Sequence, residues 1–286
     1  MRLLECLFVD NDCYRKYEGI MLQPEGIVVH STDKAGTLLK RFVQPADGQT
    51  VGLKEGERPV SAAEMLEILG VNANRNSWNR PGVSTCVHAF LGKTADGSYA
   101  ACQTLPYTAP CWGSGSGPNG SYNGCLDGRA KPPLYIQFEM IEDSEGDQGH
   151  AKALYELAVA YAAQLCRLFP SIRLENVISH KEVCDRGCSG NRSDPESYWQ
   201  RCGLPFTMDG FREALKARLG DCPFTDVPGD AWYRNAVVWA WQNGITAGTD
   251  PTHFSPYSAC TRAETVQMLY RLNGLWQGSG EMKNQK

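Results

Sequence analysis

The stretch LYIQFEMIE at residues 134–142 alternates strictly between the two faces of an extended chain. One face carries Tyr135, Gln137 and Glu139, and the other carries three apolar side chains. Because successive side chains of a strand point to opposite faces, this period predicts a β-strand. From residue 148 to residue 168 the apolar residues recur with helical spacing, which predicts a long amphipathic helix. A strand followed by such a helix favours a mixed α/β fold.

Neighbouring segments extend this pattern in both directions. The apolar run GIVVHS at 26–31 predicts a buried strand that ends near His30, and residues 83–104 predict a hairpin that turns around 95–97. Residues 175–179 predict another strand, and residues 209–219 predict a closing helix. We therefore predict an α/β domain over residues 1–219, with a mixed central β-sheet flanked by helices.

Length and charge restrict the classes of function. A chain of 286 residues can form one large domain with a small appendage. Its net charge of -4 gives no electrostatic reason to expect a nucleic acid partner, and no basic run or long apolar stretch indicates a membrane partner. The first residues lack the long apolar core of a signal peptide, so we expect synthesis in the cytoplasm without one. We expect the twelve cysteines to be reduced thiols.

A second unit is predicted after the GDCP sequence at 220–223. Residues 232–243 have the spacing of a helix, and TRAE at 261–264 has the spacing of a capping box that opens another helix. We expect that helix to end at Asn273 and Gly274, which places the unit at 223–275 and a tail at 276–286. About fifty residues with two helices bury little core alone, so the unit should pack on another surface.

The stretch VISHKEVCDRGCSGNRSDPESYW raises the question of a metal site, because it concentrates ligand-type side chains. His30 and His180 both end short apolar runs, where a sheet would present them to a common site. Catalytic zinc needs three protein ligands and an open position. The third ligand could be Cys184, Cys188 or Asp194, and spacing alone does not decide among them. The two cysteines could instead form half of a structural zinc site.

Six blocks carry a resemblance to a known family. They are GIVVHS (26–31), LKRFVQP (39–45), VHAF (87–90), YIQFE (135–139), ISH (178–180) and SDP (193–195). Together they resemble the zinc-dependent N-acetylmuramoyl-L-alanine amidases of the amidase-2 family, especially the endolysin-like members of clostridia and their phages. The resemblance implies a Zn²⁺ ion on His30, His180 and Asp194, and it leaves Cys184 and Cys188 with structural roles.

The same resemblance implies the catalytic groups. The family's catalytic carboxylate falls on Glu139, which would accept a proton from water and pass it to the leaving amine. The family residue two positions before the last ligand falls on Arg192, which would stabilise negative charge but cannot shuttle a proton. The chain departs from the family at residues 112–115, where WGSG stands in place of a common WHAG. We predict that His88 lies in the core and that His150 and His253 lie at the surface.

The C-terminal unit resembles a different family. FTDV (224–227), WY (232–233), GITAG (244–248), FSP (254–256) and TRAE (261–264) closely resemble one S-layer homology motif. That family binds secondary cell-wall polymers of Gram-positive bacteria, and the resemblance implies polymer contacts by Trp232 and Arg262. The family usually has three copies where this chain has one, so we expect several chains to associate into a homo-oligomer through this unit.

Together these features predict a bacteriolytic peptidoglycan hydrolase targeted to the Gram-positive cell wall. It would cleave the amide between N-acetylmuramic acid and L-alanine, and it would reach the wall after holin-mediated release or lysis. One alternative is a non-catalytic peptidoglycan-binding recognition module, which typically lacks a zinc ligand. Another is an interaction protein built around a structural zinc on Cys184 and Cys188.

Overall fold

A mixed eight-stranded sheet organises the part of the chain that this computed structural model describes, namely residues 1–32, 36–44, 52–56, 58–74, 76–124, 133–220 and 222–278. Its strands are β1 (Arg2–Cys6), β2 (Pro24–Ser31), β3 (Leu53–Glu55), β4 (Arg58–Pro59), β5 (Ala89–Lys93), β6 (Tyr99–Gln103), β7 (Leu134–Met140) and β8 (Val177–Ser179). The order across the sheet is β4-β3-β1-β6-β5-β7-β2-β8. The predicted mixed α/β fold is therefore confirmed.

Helices connect and cover these strands. They are α1 (Asp12–Lys16), α2 (Lys40–Val43), α3 (Ala62–Leu69), α4 (Gln148–Leu168), α5 (His180–Asp185), α6 (Glu196–Arg201), α7 (Met208–Leu219), α8 (Arg234–Gln242) and α9 (Arg262–Gly278). The predicted helix at 148–168 is confirmed with the same bounds. Asp147 caps it by accepting hydrogen bonds from the main-chain N–H groups of Gly149 and His150. No helix in the described residues has the length and hydrophobicity needed to cross a lipid bilayer.

The register of three parallel strands brings chemically active residues to one edge of the sheet. Strand β2 lies between β7 and β8 and runs parallel to both, with His30 opposite Glu139 and Val29 opposite Ser179. His180 follows β8 directly, so it emerges beside His30. The carboxyl ends of β2, β7 and β8 thus meet at one edge, where open α/β sheets commonly bind ligands.

Packing on both faces of the sheet fixes these strands. Helix α4 covers one face and buries a continuous set of apolar side chains against β2, β5 and β7. On the other face, the rings of Phe42 and Phe90 stack at 4.6 Å, and Trp78 meets Phe90 edge-on at 5.2 Å. The predicted hairpin is confirmed as the antiparallel pair β5 and β6. The strand predicted at 175–179 begins only at Val177, because a 3₁₀ turn occupies Leu174–Asn176.

The C-terminal unit packs against the sheet domain, as its small core of Phe224, Val227 and Val237 requires. The side chain of Asn235 donates to the carbonyl of Ile172 at 2.6 Å, and Gln242 donates to the carbonyl of Leu219 at 2.7 Å.

The capping box predicted at 261–264 is confirmed. The N–H of Thr261 donates to the Glu264 carboxylate at 2.7 Å, and the N–H of Glu264 donates to the Thr261 hydroxyl at 3.2 Å. The predicted end of α9 at Asn273 is wrong, since the helix continues to Gly278. A glycine inside a helix costs only about 1 kcal/mol, which is too little to end it. Pro45 and residues 279–286 of the predicted tail lie outside the described residues.

Candidate metal centre

Three side chains from separate segments converge at the edge formed by β2, β7 and β8. His30 is the penultimate residue of β2, His180 opens α5, and Asp194 precedes α6. One potential ligand atom from each lies within 4.8 Å of the other two. This is the only such group of histidine, cysteine or carboxylate side chains among the described residues, and Cys184 and Cys188 do not belong to it.

A capping box holds His180 in position. The hydroxyl of Ser179 accepts from the Glu182 N–H at 3.0 Å, and the Glu182 carboxylate accepts from the Ser179 N–H at 2.9 Å. The same hydroxyl donates to Glu196 at 2.7 Å. The N–H of Lys181 donates to the carbonyl of Asp194 at 3.1 Å. These bonds join the start of α5 to the loop before α6. They therefore fix the positions of His180 and Asp194 relative to each other.

The ring nitrogens that face the centre of the cluster are both Nδ1. The His30 and His180 Nδ1 atoms are 3.0 Å apart, and the His180 Nδ1 atom is 3.1 Å from an oxygen of Asp194. The His30 Nδ1 atom is 3.6 Å from the other oxygen of Asp194, which also accepts from the Ser31 N–H at 3.2 Å. His30 is fully enclosed, whereas the Asp194 side chain keeps 17% of its surface exposed. The cluster is therefore open to solvent on the Asp194 side.

A buried amide network determines which nitrogen of His30 carries the proton. The Nε2 atom of His30 lies 3.0 Å from Oε1 of Gln137. The amide nitrogen of Gln137 donates to Asn123 at 2.9 Å and to the hydroxyl of Ser114 at 3.3 Å, so its oxygen is the end that faces His30. That oxygen can only accept, and the His30 Nε2 atom must donate to it. The Nδ1 atom of a neutral His30 then carries a lone pair.

A second set of contacts does the same for His180. Its Nε2 atom lies 3.0 Å from the hydroxyl of Ser189, which donates its own proton to the carbonyl of Ser114. The Ser189 oxygen must therefore accept from Nε2, and the Nδ1 atom of a neutral His180 also carries a lone pair. Two imidazole lone pairs and a carboxylate then point at one another. This donor set fits Zn²⁺, because a bound cation would offset their repulsion and second hydrogen bonds orient both rings as in known zinc sites.

The electrostatics favour the protonation states that a metal ligand needs. Burial lowers the pKa of His30, and the nearby His180 lowers it further, so this imidazole is neutral at pH 7. Burial raises the pKa of Asp194, but its contacts with the rings of His30 and His180 outweigh that effect and hold the pKa below the usual range. Asp194 is thus a carboxylate.

A cavity of about 530 Å³ opens beside the cluster. His180 and Asp194 line it together with Glu139 and Arg192, so four of the five predicted metal-ligating and catalytic residues share one space. Glu139 reaches it from β7, where it is the register partner of His30. Arg192 is exposed on the loop that carries Asp194. A carboxylate and a guanidinium group therefore border the same space as the candidate ligands.

The other histidines lie away from this cluster. His88 is buried, accepts from the Gln137 N–H at 3.0 Å and contacts the carbonyl of Ala109 at 2.9 Å, as expected of a core residue. Burial lowers its pKa to about 4. The surface prediction for His150 is wrong, because the ring is buried between the Tyr99 hydroxyl and the carbonyl of Ile141, each at 2.8 Å. His253 is exposed, as predicted.

Sequence reasoning missed the network behind the ligands, which consists of Gln137, Asn123, Ser114 and Ser189. The sequence could have indicated Gln137, because a polar residue two positions before Glu139 lies on the same face of the strand. No sequence pattern could have indicated the contact between Ser114 and Ser189, since these residues lie 75 positions apart in the chain.

The predicted polymer-binding residues are both exposed on the C-terminal unit. Trp232 is 77% exposed and borders a cavity of about 550 Å³ between α7 and α8. Arg262 is exposed at the first position of α9 and does not line that cavity. The structure thus leaves both side chains accessible without bringing them into one described pocket.

Comparison with solved structures finds several that have low similarity to this chain. The catalytic domain of XlyA has 21% identity and a TM-score of 0.43, and it covers 75% of this chain and 99% of that chain. PlyL has 19% identity and a TM-score of 0.42, covering 75% and 97%. The Staphylococcus aureus hydrolase AmiA has 15% identity and a TM-score of 0.43, covering 75% and 82%. Similarity this low does not by itself assign an activity.

The C-terminal unit is similar in sequence to known proteins. A surface-layer 125 kDa protein of Lysinibacillus sphaericus is 40% identical over 60 residues, which is 21% of this chain and 5% of that protein. The chain thus spans only a small part of that relative. The family model of the S-layer homology domain matches residues 223–266. The C-terminal part of this chain therefore carries an S-layer homology domain.

Proposed function

We propose that this chain is a zinc-dependent peptidoglycan amidase that its S-layer homology unit directs to the Gram-positive cell wall. One observation carries the proposal: the hydrogen-bond network leaves two Nδ1 lone pairs and the Asp194 carboxylate converging at the edge of a cavity that Glu139 also lines. Three ligands with one side open to solvent are typical of catalytic rather than structural zinc. The six sequence blocks that resemble amidase-2 enzymes support the same assignment.

The proposed reaction is hydrolysis of the amide between N-acetylmuramic acid and L-alanine. His30, His180 and Asp194 would hold the zinc ion, which when bound supplies a Lewis acid for water and for the scissile carbonyl. Glu139 accepts a proton from the attacking water and delivers it to the leaving nitrogen as the C–N bond breaks. The products are a carboxylate on the lactyl group of the sugar and a free α-amine on L-alanine.

Arg192 has a different role in this proposal. Its guanidinium group borders the same cavity and stays charged at all relevant pH values, so it can stabilise negative charge on the carbonyl oxygen. It cannot exchange protons, which leaves Glu139 as the proton carrier. Because Glu139 transfers the proton and Arg192 stabilises charge, substitutions of the two residues should change the kinetics in different ways.

The S-layer homology unit would hold the enzyme near its substrate. Trp232 and Arg262 are the proposed contacts with a secondary cell-wall polymer, and both are exposed. An exposed tryptophan offers a large apolar face with one polar N–H, which suits a binding surface. The match to a surface-layer protein supports a location at the wall.

Digestion of purified peptidoglycan tests the proposed function. We expect mass spectrometry to detect intact glycan strands with free lactyl carboxylates and peptides that begin with an unblocked alanine. Removal of zinc by a chelator should abolish both products, and added Zn²⁺ should restore them. Binding of muropeptides without any cleavage by the zinc-loaded protein would instead support the non-catalytic recognition module.

A further inference from the structure

Two arginines that the proposed mechanism does not use line the same cavity as the candidate metal centre. Arg41 reaches it from α2, and Arg80 reaches it from the loop between α3 and β5. Arg41 donates to the carbonyl of Asn76, and Arg80 donates through Nε to the carbonyl of Ser77 at 2.9 Å. Consecutive carbonyls of one loop therefore hold both guanidinium groups at the cavity wall.

The two positive charges have no counter-charge in the part of the chain that the structure describes. None of its ion pairs involves Arg41 or Arg80, although most other arginines of the sheet domain have carboxylate partners, as Arg2, Arg58 and Arg212 do. Burial lowers the pKa of Arg41, and the proximity of Arg80 lowers it further. Two like charges beside a partly buried space are costly, and an anion bound between them would offset that cost.

The surroundings of the pair favour a carboxylate on an organic molecule. The Arg41 guanidinium lies 4.8 Å from the centre of the Phe42 ring, and Trp78 and Val83 add apolar surface to the same cavity. A guanidinium group is planar and matches the planar geometry of a carboxylate. Apolar walls beside paired cations suit an amino-acid residue, which presents a carboxylate next to an aliphatic chain.

We propose that Arg41 and Arg80 form a subsite for a free carboxylate on the peptide portion of the substrate. The inference rests on the proposed function, because a peptide bound at the metal centre is what brings such a carboxylate into the cavity. The enzyme then discriminates between peptides that carry a free carboxylate and peptides in which that group is a carboxamide. An amide would leave the two guanidinium charges unneutralised.

Two synthetic muramyl peptides that differ only in a carboxylate or carboxamide on the second peptide residue test the discrimination. Hydrogen bonds between charged groups are stronger than those to a neutral amide, so we expect kcat/KM of the wild-type enzyme to favour the carboxylate roughly tenfold or more. Arg80 is exposed, so Arg80→Gln should fold normally. It should lower kcat/KM for the carboxylate substrate and leave the carboxamide substrate within about twofold.

The matched control is Arg218→Gln, which removes the same charge from an exposed position of α7 outside the cavity. It should leave the ratio of the two kcat/KM values unchanged. Arg41→Gln should lower the ratio as Arg80→Gln does. A wild-type enzyme without a preference, or an Arg80→Gln variant with the wild-type ratio, would overturn the subsite.

A binding measurement separates this inference from the proposed activity. Isothermal titration of the full chain with an N-acetylated dipeptide should give tighter binding of the free acid than of its amide, and Arg80→Gln should remove the difference. Equal binding of acid and amide to the wild-type protein contradicts the subsite. Selective binding of the acid, with no cleavage of any muramyl peptide, would keep the subsite and refute the amidase.

Discussion

The two parts of this molecule hold their proposed functional residues in opposite ways. In the sheet domain, His30 and His180 are almost fully buried and each ring is oriented by a hydrogen bond at its Nε2 atom. In the S-layer homology unit, Trp232 is 77% exposed and α9 leaves Val266, Leu269 and Tyr270 exposed. A preorganised interior suits chemistry, whereas accessible side chains suit attachment to an extended polymer. Substitutions in the two regions should therefore have effects of very different size.

The largest effect is expected at the three candidate ligands. Replacement of His30, His180 or Asp194 by alanine should remove most of the bound zinc and nearly all amidase activity, because two remaining ligands do not make a stable site. Metal content by plasma mass spectrometry and peptidoglycan turnover measure the two losses. Cys188→Ser is the control and should keep both. Stoichiometric zinc in Asp194→Ala combined with its loss in Cys188→Ser would make the ligand assignment wrong.

Glu139→Gln should separate metal binding from chemistry. The amide cannot accept a proton from water, so we expect kcat to fall by roughly two or more orders of magnitude. Zinc content should stay at the wild-type level, since Glu139 is not one of the three ligands. A variant with wild-type kcat would remove Glu139 from the mechanism.

Arg192→Ala should lower kcat by around 10²–10³ through loss of charge stabilisation in the transition state. Arg192→Lys should recover part of that loss, because a point charge in the same cavity still attracts negative charge. Steady-state kinetics of both variants on one muropeptide measure the difference. Unchanged turnover in Arg192→Ala would assign this arginine to the solvated loop surface.

The network behind the ligands should have an intermediate effect. Gln137→Met keeps the volume of the side chain but removes the oxygen that accepts from the His30 Nε2 atom. Loss of such a hydrogen bond typically weakens metal affinity about 10–100-fold. Competition with a chromophoric chelator measures this change, and Gln200→Met on the exposed face of α6 is the control. Equal zinc affinity in the Gln137 and Gln200 variants would show that ring orientation does not depend on the network.

The smallest effects on catalysis are expected in the C-terminal unit. Arg262→Ala should weaken pull-down by cell walls severalfold without altering zinc content, because Arg262 lies outside the metal cavity.

A chain that ends at Leu219 should lose wall binding and still cleave soluble muropeptides. Light scattering should show an oligomeric full chain and a monomeric truncated one, with contacts through the helices near Trp232 and Tyr270. A monomeric full chain that binds walls no better than its truncation would refute both wall attachment and self-association by this unit.

Local patterns predicted the parts of the fold that depend on local sequence. The alternation around Glu139 and the apolar stripe of α4 gave a strand and a helix that the structure confirms. The sheet edges β3 and β4 and helix α3 were missed, because segments of two to eight residues carry little periodic signal. His150 was assigned to the surface because its polar side chain gave no sign of the Tyr99 and Ile141 partners that bury it.

In the candidate site, too, sequence patterns predicted some features and could not predict others. The family blocks singled out His30, His180 and Asp194, which the structure brings together. The contacts that orient them join residues far apart in sequence, such as His30 with Gln137, 107 positions away. Arg41 and Arg80 likewise come from segments that no short motif connects. Such long-range pairs depend on the topology of the sheet, so a single sequence could not reveal them.

Nitrogen NMR of the histidine rings in the zinc-loaded protein tests the central claim most directly. The claim is that the buried network presents both Nδ1 atoms to the metal and keeps a proton on both Nε2 atoms. We expect the nitrogen shifts of His30 and His180 to show a metal-bound Nδ1 and a protonated Nε2, with slow exchange of the His30 Nε2 proton that Gln137 accepts. Coordination of zinc through Nε2 of either ring, or zinc-induced shifts at neither ring, would contradict the account.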